Sequence, residues 1–127
     1  MFNYKNENFE IHIFSDLGAK QEDDTTEIIK KNVDFFHNIS KKNNTEFASL
    51  LRSIGIDILI DINGYLGKGR IEIFNSRVCR LQMSWLGYNN TIGLSHSDYL
   101  IADKNLILEK EKDLYKEKII YLPGIWN

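Results

Sequence analysis

Apolar and polar residues alternate over positions 9–15 (FEIHIFS), with Phe9, Ile11 and Ile13 separated by Glu10 and His12. That period of two predicts a strand with one face turned to a core. Asp23 or Asp24 can accept backbone N–H groups at the start of a helix running to about Asn32, with Ile28 and Ile29 inward. Positions 33–39 read as a second short strand. Phe47, Leu50, Leu51 and Ile54 then fall on one face of a helix, and Asn43 with Glu46 three residues later has the form of a capping box. Gly55 stands where a helix ends in a left-handed turn. The run 56–62 (IDILIDI) follows as an apolar, β-branched strand, expected to be buried on both faces as in a parallel sheet.

Beyond it the pattern breaks into a loop, 63–69 (NGYLGKG), which leads to an expected helix over 70–77. A strand is expected at 81–86, a second turn-rich loop at 87–93 (GYNNTIG), and short strands at 99–102 and 119–122. The charged stretch 104–118 reads as an exposed turn and helix. Strands alternating with helices through short connections predict an α/β, Rossmann-like doubly wound fold with a mostly parallel sheet. In such sheets ligands bind beyond the carboxyl ends of the strands, which singles out the loops after 61 and after 86. The glycines of the first loop follow the order G-x-x-G-x-G, which is neither a dinucleotide fingerprint nor a phosphate loop. From the residues alone, both loops can equally be strand-to-helix turns.

Composition narrows the function classes. The 127 residues suffice for one globular domain, and 16 basic against 18 acidic side chains leave a net charge of −2, so no strong field favours nucleic acid or anionic lipid. No apolar run approaches the roughly 20 residues of a membrane helix, and the first ten residues lack the pattern of a secretory leader. Cys79 is the one cysteine, which fits a reducing, cytoplasmic setting and behaves by default as a small hydrophobe, although Arg77 and Arg80 beside it could lower its pKa. His12, His37 and His96 lie far apart in the sequence without metal-ligand spacing, so no metal is expected. Met83 and Trp85, at alternate strand positions, read as core.

The ordered string GIDILIDINGY at 55–65, then Arg70, Glu72, Phe74 and Arg77, then QMSWLGY at 82–88, then Gly93, Asp98-Tyr99, Ala102-Asp103 and LPG at 122–124, resembles the catalytic region of protein O-GlcNAc transferases, the SPINDLY-like glycosyltransferase family 41. The resemblance runs over nearly the whole chain. It implies one lobe of a GT-B enzyme, in which two Rossmann-like lobes close over a nucleotide sugar and GlcNAc passes from UDP-GlcNAc to Ser or Thr of a protein, with inversion and without a catalytic metal or other cofactor. It implies that residues 1–127 form a single partial first lobe, with the UDP-binding lobe and TPR repeats supplied elsewhere, and that the chain alone transfers no sugar. Asp61, Asn63 and Tyr65 are then candidates for lining the cleft, and Gly64, Thr91 and Gly93 for approaching the substrate. Leu66, Val78-Cys79-Arg80 and 89–93 depart from the family pattern. Two further readings stay open: a related transferase using UDP-glucose or an Asn acceptor, and a non-catalytic remnant or interaction module. A protein or peptide acceptor is the expected partner, and self-association is one way to cover an exposed lobe face.

Overall fold

A computed structural model of the chain describes residues 7–67 and 69–124. The leader reading at 1–6, Lys68 of the glycine loop and the last three positions lie outside these. The chain divides into two compact units, Met1–Asn43 and Asn44–Asn127.

In the first unit, strand β1 (His12–Ser15), helix α1 (Asp24–Asn32) and strand β2 (Phe35–Asn38) form a β-α-β arrangement with the strands parallel, His12 opposite Phe35 and Ser15 opposite Asn38. Asp23 caps α1: its carboxylate accepts the Thr26 N–H at 2.9 Å, and Thr26 Oγ1 accepts the Asp23 N–H at 3.3 Å. The cap sets the phase of the helix. Thr26 is buried, and Ile29 and Lys30, three and four residues on, share its half-buried face. Ile28 is 59% exposed, against the expectation that both isoleucines face inward, because two helical residues from Thr26 is more than half a turn away.

Parallel pairing also joins residues that the sequence kept apart. His12 and Phe14 share one face with Phe35 and His37, and the four rings stack nearly parallel, with centroids 4.6 Å (His12–Phe35), 5.2 Å (His12–His37) and 4.8 Å (Phe14–His37) apart. His12 Nδ1 lies 2.9 Å from His37 Nε2, and His12 Nε2 lies 2.6 Å from the Glu10 carboxylate. The two histidines are therefore partners. Among the described residues no three His, Cys, Asp or Glu side chains group as a metal site.

The second unit begins with helix α2 (Asn44–Ile54), which buries Phe47, Ala48 and Leu51. It ends at Gly55 with φ +83°, whose N–H and that of Ile56 both donate to the Leu51 carbonyl. Four parallel strands follow, β3 (Ile58–Asp61), β4 (Leu81–Ser84), β5 (Tyr99–Ala102) and β6 (Lys118–Tyr121), ordered in the sheet as in the chain. The α/β, parallel reading of the sequence holds. The connections differ from it: 70–77 is not an α-helix but a 3₁₀ turn (Ile71–Asn75), and the charged stretch contributes another (Glu109–Leu114). Ile71, Ile73 and Phe74 sink their side chains within one short turn, which the tighter 3₁₀ spacing permits.

β3 lies at one end of this four-stranded sheet, and its burial alternates. Ile58 and Ile60 are 44% and 43% exposed while Leu59 and Asp61 are half-buried, so the expected burial on both faces is corrected to one. The core lies further in, around Leu100, Ala102 and Ile107, with Leu106, Tyr115, Ile119 and Tyr121 packed against it. Met83 is buried, whereas Trp85 lies past the end of β4 and is half-buried.

Gln82 organises the approach to β4. Its fully buried amide oxygen accepts the N–H groups of Val78 (2.6 Å) and Cys79 (3.3 Å), and its amide nitrogen donates to the carbonyls of Ser76 and His96. Such complete pairing is what a buried amide requires. Asp98 accepts the Gln82 backbone N–H and takes both guanidinium nitrogens of Arg77, which hold its carboxyl below the usual carboxylate range. Cys79 is buried and its thiol donates to the Leu81 carbonyl. Burial pushes that thiol up and outweighs the pull of Arg77, so the expected hydrophobe is found and an activated thiol is not.

Candidate functional site

The carboxyl ends of β3 and β4 carry the two loops singled out in the sequence. Asp61, the last residue of β3, is half-buried and turns its carboxylate onto the loop that follows, accepting the Gly64 N–H. Burial raises its pKa, and the backbone N–H groups of Gly64 and Asn63 oppose that rise. The carboxylate thus closes a turn. Asn63 is exposed, and its carbonyl accepts the Leu66 N–H at 3.0 Å. Gly64 is buried with φ +57°, and a β-carbon there would lie 2.2 Å from Cβ of Tyr88. Only glycine lets the first loop lie against the second at this point.

Tyr65 reaches across. Its hydroxyl donates to the Ile92 carbonyl at 2.6 Å, and its ring meets Tyr88 edge-on, with centroids 5.3 Å apart and planes at 85°. Half of its side chain stays exposed beside Leu66. Gly87 makes the second close approach, since a β-carbon on it would lie 2.0 Å from the Ile62 carbonyl oxygen. Leu86, just before it, has φ +74°, a strained angle for a branched side chain costing about 1–2 kcal/mol.

At the far end of the second loop Thr91 donates its hydroxyl to Glu117 at 2.7 Å, and Gly93, with φ +71°, donates its N–H to the same carboxylate at 3.0 Å. The structure therefore brings Gly64 and Tyr65 together with the loop that carries Thr91 and Gly93. Asp61 and Asn63 shape the first loop from beneath and from its outer side.

Glu117 is the residue that the sequence reading missed. It sits in the stretch taken for a solvated charged face, yet it is 3% exposed. The signal was its phase: Glu117, just before β6, points inward with Ile119 and Tyr121, while Lys118 and Ile120 point out. Asp103, also buried, folds its carboxylate onto the N–H groups of Asn105 and Leu106 and serves the turn after β5.

A profile of the family described as glycosyl transferase family 41 matches residues 3–126. The chain belongs to glycosyl transferase family 41. Among the curated members it resembles, a probable UDP-N-acetylglucosamine–peptide N-acetylglucosaminyltransferase, SEC, of Arabidopsis thaliana is 28% identical over 120 residues, 94% of this chain and 12% of the relative. A UDP-N-acetylglucosamine–peptide N-acetylglucosaminyltransferase of Caenorhabditis elegans is 38% identical over 80 residues, 63% of this chain and 7% of the relative. In three dimensions the chain matches a mutant of Thermobaculum terrenum O-GlcNAc transferase with a TM-score of 0.86 and 29% identity, over 92% of this chain and 22% of that one. The family 41 resemblance read from the sequence and the Rossmann-like α/β fold it implied both agree with these matches. The chain spans about an eighth or less of the curated relatives' length and about a fifth of the solved enzyme.

Proposed function

We propose that this chain forms the sugar- and acceptor-facing part of a family 41 glycosyltransferase that moves GlcNAc from UDP-GlcNAc to a Ser or Thr hydroxyl of a protein. The observation that carries the reading is the joined pair of loops at the carboxyl ends of β3 and β4, locked by the Tyr65–Ile92 hydrogen bond in a chain whose family match runs over 3–126. In this reading the acceptor oxygen attacks the anomeric carbon from the face opposite the UDP, the bond from that carbon to the diphosphate oxygen breaks, the hydroxyl proton is released to water, and the configuration inverts. The catalytic demand is alignment of hydroxyl and anomeric carbon, with stabilisation of the departing diphosphate.

Tyr65 with the exposed rim of the first loop lines the cleft, Asp61 and Gly64 hold that rim in place, and the backbone around Gly93 approaches the sugar. The groups that receive the diphosphate, without a metal, come from a UDP-binding lobe outside the portion described. The cytoplasm supplies donor and protein acceptors, and no described helix is long and apolar enough to cross a membrane.

The test is a chimera. The segment of Thermobaculum terrenum O-GlcNAc transferase that matches this chain is replaced by the chain itself, and transfer of labelled GlcNAc to a Ser/Thr peptide is followed beside the chain alone. Transfer by the chimera and none by the chain alone is expected. A folded chimera that binds UDP but transfers no GlcNAc to any Ser/Thr peptide overturns the proposal.

A further inference from the structure

The loop 91–93 is held by a carboxyl group that the protein supplies itself. Glu117 Oε1 accepts two successive backbone N–H groups, from Ile92 at 2.9 Å and Gly93 at 3.0 Å, and Oε2 accepts the Thr91 hydroxyl at 2.7 Å. Successive N–H groups converging on one oxygen, the second from a residue with positive φ, make the kind of concavity that binds phosphates and other anions. Here it is already filled. Lys116 Nζ donates to the Gly93 carbonyl at 3.2 Å, so both backbone groups of Gly93 are engaged from the lead-in to β6. The Ile92 carbonyl receives the Tyr65 hydroxyl.

We infer that Glu117 is a positioning residue for the proposed transfer site: its buried carboxylate fixes the 91–93 backbone from beneath and, through the Ile92 carbonyl, fixes Tyr65. The inference rests on the transferase reading and refines its assignments. Thr91 has one hydroxyl proton, and that proton is directed at Glu117, so toward a sugar Thr91 can only accept a hydrogen bond. Gly93 cannot offer its N–H to a diphosphate, because that N–H is bound within the chain. The two residues act as the strut of the loop, and its exposed rim, with Tyr65, meets the substrate.

Two measurements test this. In the full chain, amide hydrogen exchange is read for Glu117→Gln and, as a milder change that removes one bond, Thr91→Val. Glu117→Gln is expected to speed exchange at Ile92 and Gly93 by about tenfold or more while β4 and β5 keep their protection. Thr91→Val is expected to have a smaller effect at the same two amides, with Thr91→Ser returning them to the original rate. Unchanged exchange at 92 and 93, or an equal loss across the whole sheet, overturns the assignment.

In the chimera described above, Glu117→Gln is expected to lower kcat for GlcNAc transfer by about tenfold or more with little change in KM for UDP-GlcNAc, because the donor is held mainly by the other lobe. An unchanged kcat overturns the positioning role. A chimera inactive even with Glu117 in place counts against the transferase reading, and the exchange rates still decide whether Glu117 anchors the loop.

Discussion

Substituting Gly87 by Ala tests how tightly the two loops are pressed together. The added β-carbon would lie 2.0 Å from the carbonyl oxygen of Ile62, 2.9 Å from its carbonyl carbon and 3.0 Å from Cα of Asn63. All three are backbone atoms, so no side chain can swing away. An ordinary carbon–oxygen contact is about 3.3 Å, and restoring it demands a displacement of more than about 1 Å. The adjoining ladder bond from the Trp85 N–H to the Asp61 carbonyl, at 2.9 Å, does not survive a shift of that size. Overpacking of about 1–3 kcal/mol plus one lost hydrogen bond of about 1 kcal/mol gives a destabilisation of about 2–4 kcal/mol. For a chain of this length that corresponds to a melting temperature lower by roughly 8–16 °C. Thermal unfolding followed by circular dichroism, with urea unfolding as a second measure, reads the effect. Gly124→Ala is the control, since nothing lies within 4 Å of its added carbon and its φ is not positive. A Gly87→Ala chain that melts within 2 °C or so of the parent would refute the close approach and with it the joined-loop geometry.

Tyr65→Phe removes the bond to the Ile92 carbonyl, and a loss of about 0.5–1.5 kcal/mol in urea unfolding is expected, with faster exchange confined to the two loops. His37 is held below its ordinary value near 6.5, first by burial and then by the charge of His12, so the unfolded chain takes up a proton more readily than the folded one. Stability of residues 1–43 should therefore fall as pH drops through 6.5 and level off below the folded value, and His37→Phe should abolish that slope in pH-dependent melting. The charged groups around the pair are Glu10, bonded to His12, and Asp34, which accepts the Ile11 N–H at 2.9 Å, while Lys30 lies over Phe36 on the other face. The Asp98 carboxyl is depressed by Arg77, so its contribution is present above the ordinary carboxylate pKa near 3.9 and is lost as pH falls through the folded value. Asp98→Asn should flatten the acid limb of the unfolding curve, and an unaltered limb counts against the ion pair.

Helix α2 was legible because eleven residues with a consistent apolar face leave little freedom in phase, and β5 was read to the residue because it is short and bounded by polar positions. The 70–77 segment went astray for the opposite reason: few residues give few i→i+4 bonds to offset the cost of nucleating an α-helix, and burial of Ile71, Ile73 and Phe74 decided the geometry. The run at 56–62 announced a strand through its β-branched residues, but apolar character does not say which face is covered, and β3 leaves Ile58 and Ile60 exposed. His12 and His37 meet only through the β1–β2 register, which no local pattern encodes. Glu117 was hidden among lysines and glutamates, where charge density suggested water and only the alternation of β6 pointed inward. The glycines of both loops were visible as loop formers, whereas their contacts with Tyr88 and Ile62 depend on how β3 and β4 lie side by side.

The four strands of the second unit pair only with their neighbours in the chain. The registered partners Ile58 and Leu81 are 23 residues apart, Met83 and Tyr99 are 16, and Tyr99 and Lys118 are 19. Each pairing closes a span short enough that loop entropy differs little from one strand to the next. A ribosome delivering this segment therefore presents β4, β5 and β6 each to a template already made, so the sheet can grow by accretion in the order of synthesis. None of these three pairings has to wait for a partner encoded far downstream. Each new strand thus covers the edge left by the one before it, the kind of edge that otherwise invites pairing with another chain.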